Sequence, residues 1–161
     1  SMVFEPESFT TITCLYFTIY YMIDKRLFFD NCIRFLKPGG YLMIHLVNRE
    51  KFDTLLPNSN PLLLISPQSY TDKRITRSVG NFENHDYTAD FTFKGSNVTF
   101  YETFSNKKTN AIRKHELNLY MEPQKDILKH ARNAGFILKS QTAMDNCEHK
   151  HQYLYILQKP R

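Results

Sequence analysis

Two hydrophobic periods alternate along this chain. Ser8 to Leu15 is β-branched and apolar, a strand pattern. Phe28, Phe29, Cys32, Ile33, Phe35 and Leu36 then recur at three- and four-residue spacing, which predicts an amphipathic helix. Asp24 is placed to cap that helix by accepting from a free backbone N–H. Lys37 puts positive charge at the negative end of its dipole. Pro38 is expected to stop the helix, and Gly39 and Gly40 to supply backbone angles that a side chain resists. Tyr41 to Val47 is a nearly unbroken apolar run, the pattern of a strand buried on both faces in a parallel sheet. Residues 8–48 therefore read as one β–α–β unit with a right-handed crossover.

Further on, Phe52, Leu55 and Leu56 fit one helical turn, Asn58 to Pro61 a loop, Leu62 to Ile65 a short apolar run, and Pro67 to Ile75 a brief helix. Residues 82–121 change period. Tyr87, Ala89, Phe91 and Phe93 alternate with polar residues. So do Val98, Phe100, Glu102 and Phe104, and then His115, Leu117 and Leu119. Turn signals at Lys94–Asn97 and Ser105–Asn110 separate the three runs, which predicts three antiparallel strands with one buried face. Pro123 is expected at the first position of a last helix. Ile127, Leu128, Ala131 and Ala134 share its face, and Gly135 ends it. Phe136 to Ala143 and His151 to Gln158 complete the pattern as two strands.

The run Phe35-Leu36-Lys37-Pro38-Gly39-Gly40-Tyr41-Leu42 resembles the "LKPGG" signature of class I S-adenosylmethionine-dependent methyltransferases, where it joins the helix after the fourth strand to the fifth strand. Phe9 to Leu15 resembles that family's fourth strand, with Thr10 where Asp is commonest. Ala134-Gly135-Phe136 resembles the "AGF" before its sixth strand. The resemblance implies an α/β fold: a partial Rossmann-like methyltransferase sheet, strands four to seven, with an inserted antiparallel β-sheet at residues 82–121, all in a single domain over residues 2–161. It implies an antiparallel seventh strand and S-adenosylmethionine as cofactor. The family's glycine-rich cofactor turn has no counterpart, since none of the five glycines forms a GxGxG element. This chain alone is therefore expected to be inactive without a cofactor-binding half.

Composition narrows the setting. A length of 161 residues suffices for one domain with a real core. The formal net charge of +5 is spread along the chain, so it reads as a solvated surface and nucleic acid is not expected as a partner. Three cysteines at no framework spacing fit reduced thiols, hence a cytoplasmic protein. No run reaches the length of a membrane span. Ser1 ahead of Met2 reads as a tag remnant.

The resemblance places Tyr16 to Tyr21 in the loop facing the cofactor sulfonium and the acceptor, so that Leu15, at the end of the fourth-strand match, and Tyr16 are expected at the cofactor and Tyr20 at the acceptor; Asn48, at the end of its strand, is a further expected acceptor-site residue. Aromatic faces such as those of Tyr16, Tyr20 and Tyr21 stabilise a sulfonium cation, or equally pack a sheet and helix. Tyr21 stands where many members carry His, which would impair a general base. His45, near the end of its strand, could act as a base; a buried structural histidine fits the same position equally. Cys147, His149 and His151 alternate like metal ligands, but no fourth ligand is evident, so they read as a solvated loop with no metal. The resulting expectation is a methyltransferase portion acting on an N, O or C nucleophile of a small-molecule or protein acceptor. The competing expectation is a non-catalytic binding or oligomerisation module. An open sheet edge predicts a homo-oligomer or pairing with a cofactor-binding half.

Overall fold

A computed structural model describes residues 4–52, 68, 71, 73–147 and 149–161. Its elements are β1 (Phe9–Cys14), α1 (Lys25–Phe35), β2 (Leu36–Val47), β3 (Arg77–Asn81), β4 (His85–Lys94), β5 (Asn97–Asn106), β6 (Ile112–Tyr120), α2 (Gln124–Asn133), β7 (Ile137–Ala143) and β8 (Gln152–Gln158), with a 3-10 turn at Thr18–Tyr21. They form two four-stranded sheets, β1-β2-β8-β7 and β3-β4-β5-β6. In the first, β1 runs parallel to β2, and β8 is antiparallel to both β2 and β7. The antiparallel last strand and the α/β class match the expectation from sequence.

Helix α1 starts as predicted. The Leu27 amide donates to Asp24 Oδ1 at 2.9 Å, removing one of the orphan donors at the helix start. Its end differs from expectation. The helix stops at Phe35, and Leu36 already pairs with Phe9, so Pro38 and the two glycines lie inside β2 rather than in a turn before it. The β1–β2 register shifts there, between Phe9 and Thr11. Gly39 adopts φ 77°, and a Cβ on Gly40 would meet Lys37 O at 2.9 Å and Thr10 O at 3.0 Å. Close backbone approach, as much as unusual angles, is what this pair permits. Pro123 is also displaced by one position: it is the N-cap of α2 with an extended ψ of 144°, because the following helix begins at Gln124.

Leu42, Ile44, Leu46 and Leu157 on one face of the first sheet are buried with Phe29 and Cys32 of α1 and Ile127 and Ala131 of α2. The other face carries Tyr41, Met43, Leu154, Ile156 and Ile137 by the same register. Tyr41 and Ile137 are exposed, and the other three are only half-buried. Among the described residues neither helix covers that face, and β1 pairs on one side only. The helix side of β8 is the better buried; on its other face Gln152 is buried and Leu154, Ile156 and Gln158 are half-buried.

The second sheet occupies the region where an insertion was expected, with one strand more than predicted: β3 precedes the other three. Its Phe91, Val98 and Leu119 join the same core. Phe52 bridges the two parts, its ring 5.5 Å from Phe17 and 5.7 Å from Phe91. Polar fasteners reinforce the joint. The Arg49 guanidinium donates to Met121 O at 2.7 Å and to Gly95 O at 2.8 Å, and Lys25 Nζ donates to Tyr120 O at 2.7 Å. The turns and helices expected at 53–67 and at most of Pro67–Ile75 lie outside the described residues; 73–75 are not helical. Among the described residues no helix is long and apolar enough to cross a membrane.

Candidate active site at the ends of the parallel strands

Ligands of open α/β sheets bind beyond the carboxyl ends of the parallel strands. Here β1 ends at Cys14 and β2 at Val47, and the residues that follow make the candidate site. Tyr16 is the first of these. Its backbone is left-handed, at φ 54°, a conformation that disfavours a side chain by about 1–2 kcal/mol. The ring stands 63% exposed, yet its centroid lies 6.0 Å from the His45 ring and 6.5 Å from the His149 ring, both edge-on. Leu15 beside it is also exposed.

His45 lies beneath Tyr16, only 3% exposed, and its Nε2 has no hydrogen-bond partner among the described residues. Burial lowers its pKa, the neighbouring Gln152 side chain pulls the other way, and His149 adds to the lowering. The ring is therefore a neutral imidazole at pH 7, as a proton acceptor must be.

Tyr20 has a different place from the one expected. It is fully buried, its hydroxyl accepts from the Val47 amide at 2.8 Å, and it lies near Cys14 and Tyr155. Cys14, Ile44 and Tyr155 are in register on the helix-covered face, whereas His45 pairs with Leu154 on the other. Tyr20 and His45 thus sit on opposite faces, and Tyr20 ties the 3-10 turn to the end of β2. Tyr21, next along, is half exposed. Asn48 shapes the turn after β2: its Oδ1 accepts from the Glu50 amide at 3.1 Å, and its own amide donates to His151 O at 2.8 Å.

Of the residues singled out from sequence, the structure gathers Tyr16 and His45, leaves Leu15 and Tyr21 exposed nearby in the chain, and uses Tyr20 and Asn48 to build backbone. Gln152 and His149 were not anticipated here. The only hint of His149 was its alternation with Cys147 and His151, which suggested metal chemistry. Among the described residues, no three His, Cys, Asp or Glu side chains converge on a metal-sized site. Gln152 carries no motif; only the β2–β8 register brings it to this end of the sheet.

Solved structures share this fold. A S-adenosylmethionine-dependent methyltransferase from Clostridium acetobutylicum superposes with a TM-score of 0.68 at 16% identity, over 96% of this chain and 60% of its own. The fold is that of the S-adenosylmethionine-dependent methyltransferases. The CcbJ methyltransferase from Streptomyces caelestis gives the same TM-score of 0.68 at 10% identity, over 100% of this chain and 61% of its own. An amino pentose methyltransferase from Micromonospora echinaspora, solved with S-adenosylmethionine bound, gives 0.60 at 15% identity, over 94% and 58%. This methyltransferase-fold chain thus spans about 60% of the length of the solved structures it matches. No family model matches the chain, and no curated protein matches its sequence.

Proposed function

We propose that this chain is the acceptor-side portion of an S-adenosylmethionine-dependent methyltransferase that transfers a methyl group to an N, O or C nucleophile, with a small-molecule amine as the first acceptor to test. One observation carries the reading: a buried neutral imidazole with an unpartnered Nε2 sits near the carboxyl ends of a parallel strand pair in a methyltransferase fold. The amine preference comes from the amino pentose methyltransferase among the similar structures.

S-adenosylmethionine, when bound, supplies an electrophilic methyl on a sulfonium sulfur. The residues present fit one wall of a site for it. The exposed Tyr16 ring offers its π-face to a cation, and Leu15 offers apolar contact. The chain has no glycine-rich turn for the remainder of the cofactor. That wall must come from further polypeptide, paired on the open edge of β1 and laid over the bare face of the sheet. His45 Nε2 would take a proton from the acceptor's ammonium beforehand, freeing the nitrogen lone pair that forms the new C–N bond as the methyl–sulfur bond breaks. Because Tyr16 covers His45, its ring has to shift for the acceptor to arrive. The exposed Tyr21 is a candidate to orient that acceptor.

Isothermal titration of the chain with S-adenosylhomocysteine tests the reading, alongside sedimentation. Micromolar binding by a self-associated species supports a cofactor site completed by a second copy. No heat from the chain alone, followed by binding once a cofactor-binding half is supplied, supports the paired form. A strictly monomeric chain that binds no cofactor in either setting overturns the enzyme reading and leaves a non-catalytic module.

A further inference from the structure

The inserted sheet carries a concavity whose lining shares no residue with the candidate active site. At the end away from the Arg49 fastening, an open cavity of about 460 Å³ is lined by residues that include His85, Phe104, Asn106, Ile112, Arg113 and His115. Small-molecule sites commonly fall within about 300–1,000 Å³. Strand alternation puts His85 and Tyr87 of β4, Glu102 and Phe104 of β5, and Arg113 and His115 of β6 on one face. The His85 ring stacks on Phe82 at 4.5 Å, and the Phe104 ring lies 4.9 Å from Tyr87 and 6.1 Å from His115.

A chain of polar contacts runs behind this aromatic floor. The Tyr87 hydroxyl donates to Glu102 Oε1 at 2.7 Å. Glu102 Oε2 lies 3.9 Å from His115 Nδ1, and His115 Nε2 accepts from Arg113 Nε at 2.7 Å. An accepting Nε2 requires the imidazole proton on Nδ1, the nitrogen that faces Glu102. Burial pushes the Tyr87 hydroxyl pKa up, so it stays a donor. Glu102 is held by the Tyr87 hydroxyl, and Arg113 is held by Nε alone. Its two terminal amino groups have no protein partner among the described residues. A solvated surface arginine needs no such tether. One guanidinium and two imidazoles line the cavity, together with Phe104 and Ile112, and no carboxylate is among the lining residues.

We propose that this cavity binds a planar aromatic ring carrying a carboxylate or phosphate. Arg113 grips the anion with its free fork, and the ring lies against Phe104. The inference stands on the inserted sheet alone, so a failed cofactor titration leaves it untouched.

Nuclear magnetic resonance titration of the isotope-labelled chain tests it, reading the Arg113 Nε–H, the His115 ring and the Phe104 amide. The probes are phenyl phosphate, 4-hydroxybenzoate and the size-matched cation benzamidinium. Saturable shifts with the anions, and at least about tenfold weaker binding of benzamidinium, are expected. Arg113→Gln should weaken anion binding about tenfold, and Arg113→Lys less, both with an unchanged melting temperature. Tighter binding of phenyl phosphate than of 4-hydroxybenzoate identifies a phosphorylated ligand, and the reverse a carboxylate. Equal binding of the cation and the anions, no saturable shift with any probe, or full binding by Arg113→Gln overturns the proposal.

Discussion

Lys25 offers a sharp test of how the inserted sheet is held. It opens α1, yet only 2% of it is exposed. Its ammonium donates to Tyr120 O at 2.7 Å and to Met22 O at 3.1 Å, and lies 3.6 Å from Glu122 Oε1. Lys25→Met keeps the apolar stem and removes all three contacts. Hydrogen bonds to a charged group contribute about 1.5–3 kcal/mol each, and removing one member of a buried pair costs about 3–5 kcal/mol. The loss here is smaller than a sum of these, because Glu122 keeps His130 Nε2 at 3.1 Å and the methionine needs no desolvation. We expect about 3 kcal/mol, which for a chain of this size lowers the melting temperature by about 6–12 °C. Calorimetry at neutral pH checks this. Burial lowers the Lys25 pKa from 10.5, against the pull of Glu122. Between the lowered value and 10.5 the unfolded chain holds more protons, so this group makes stability rise with pH across that interval. The Met variant should lose that slope. A variant melting within about 1 °C of the parent, with the same pH slope, would refute the assignment of Lys25 as the fastener.

Burial raises the Cys14 thiol pKa to about 11 and that of Cys32 to about 12, while Cys147 is exposed. Iodoacetamide followed by mass spectrometry should therefore label one thiol quickly and two only on unfolding. Gly40→Ala sets a Cβ against two backbone oxygens and should cost about 1–3 kcal/mol by thermal melting, as overpacking does. A Cβ on Gly39 would meet only the Arg161 side chain, at an ordinary contact distance of 3.6 Å, so there alanine should cost little beyond the left-handed backbone penalty of about 1–2 kcal/mol. The His45 ring should stay neutral below pH 6.5 in a nitrogen-detected histidine titration. The unfolded chain gains that proton first, so His45 makes stability fall as pH drops from 6.5 through its lowered value. A His45 titration at or above 6.5 would remove the neutral base.

The first β–α–β unit was legible because its signals are local: an apolar stripe of period near 3.6, a capping Asp24 and an unbroken apolar strand. The hairpin at Gly95 and the alternation in β4 to β6 were legible for the same reason. Strand β3 was not, because Arg77 to Asn81 exposes Val79 and offers no alternation to read. The helix end was misplaced because Leu36 continues the helical stripe, and only its pairing with Phe9 makes it a strand residue. In the candidate site, residue types along Tyr16 to Tyr21 pointed to a pocket but could not say which face each ring would take. That depends on a left-handed Tyr16, a conformation usually left to glycine. Gln152 was invisible because its place follows from register across the whole chain.

The position of β8 also sets the order in which this chain can be made. The last strand in sequence is an inner strand of the first sheet, between β2 and β7. On the ribosome, β4, β5 and β6 each meet their partner a few residues after leaving the exit tunnel, and such near-neighbour pairings form fastest. The β1–β2 pair, made before the inserted sheet, has to wait for β8 before the other edge of β2 is filled. The inserted sheet, built from near-neighbour pairings, is thus expected to fold ahead of the first sheet, whose inner strand β8 comes from far along the chain.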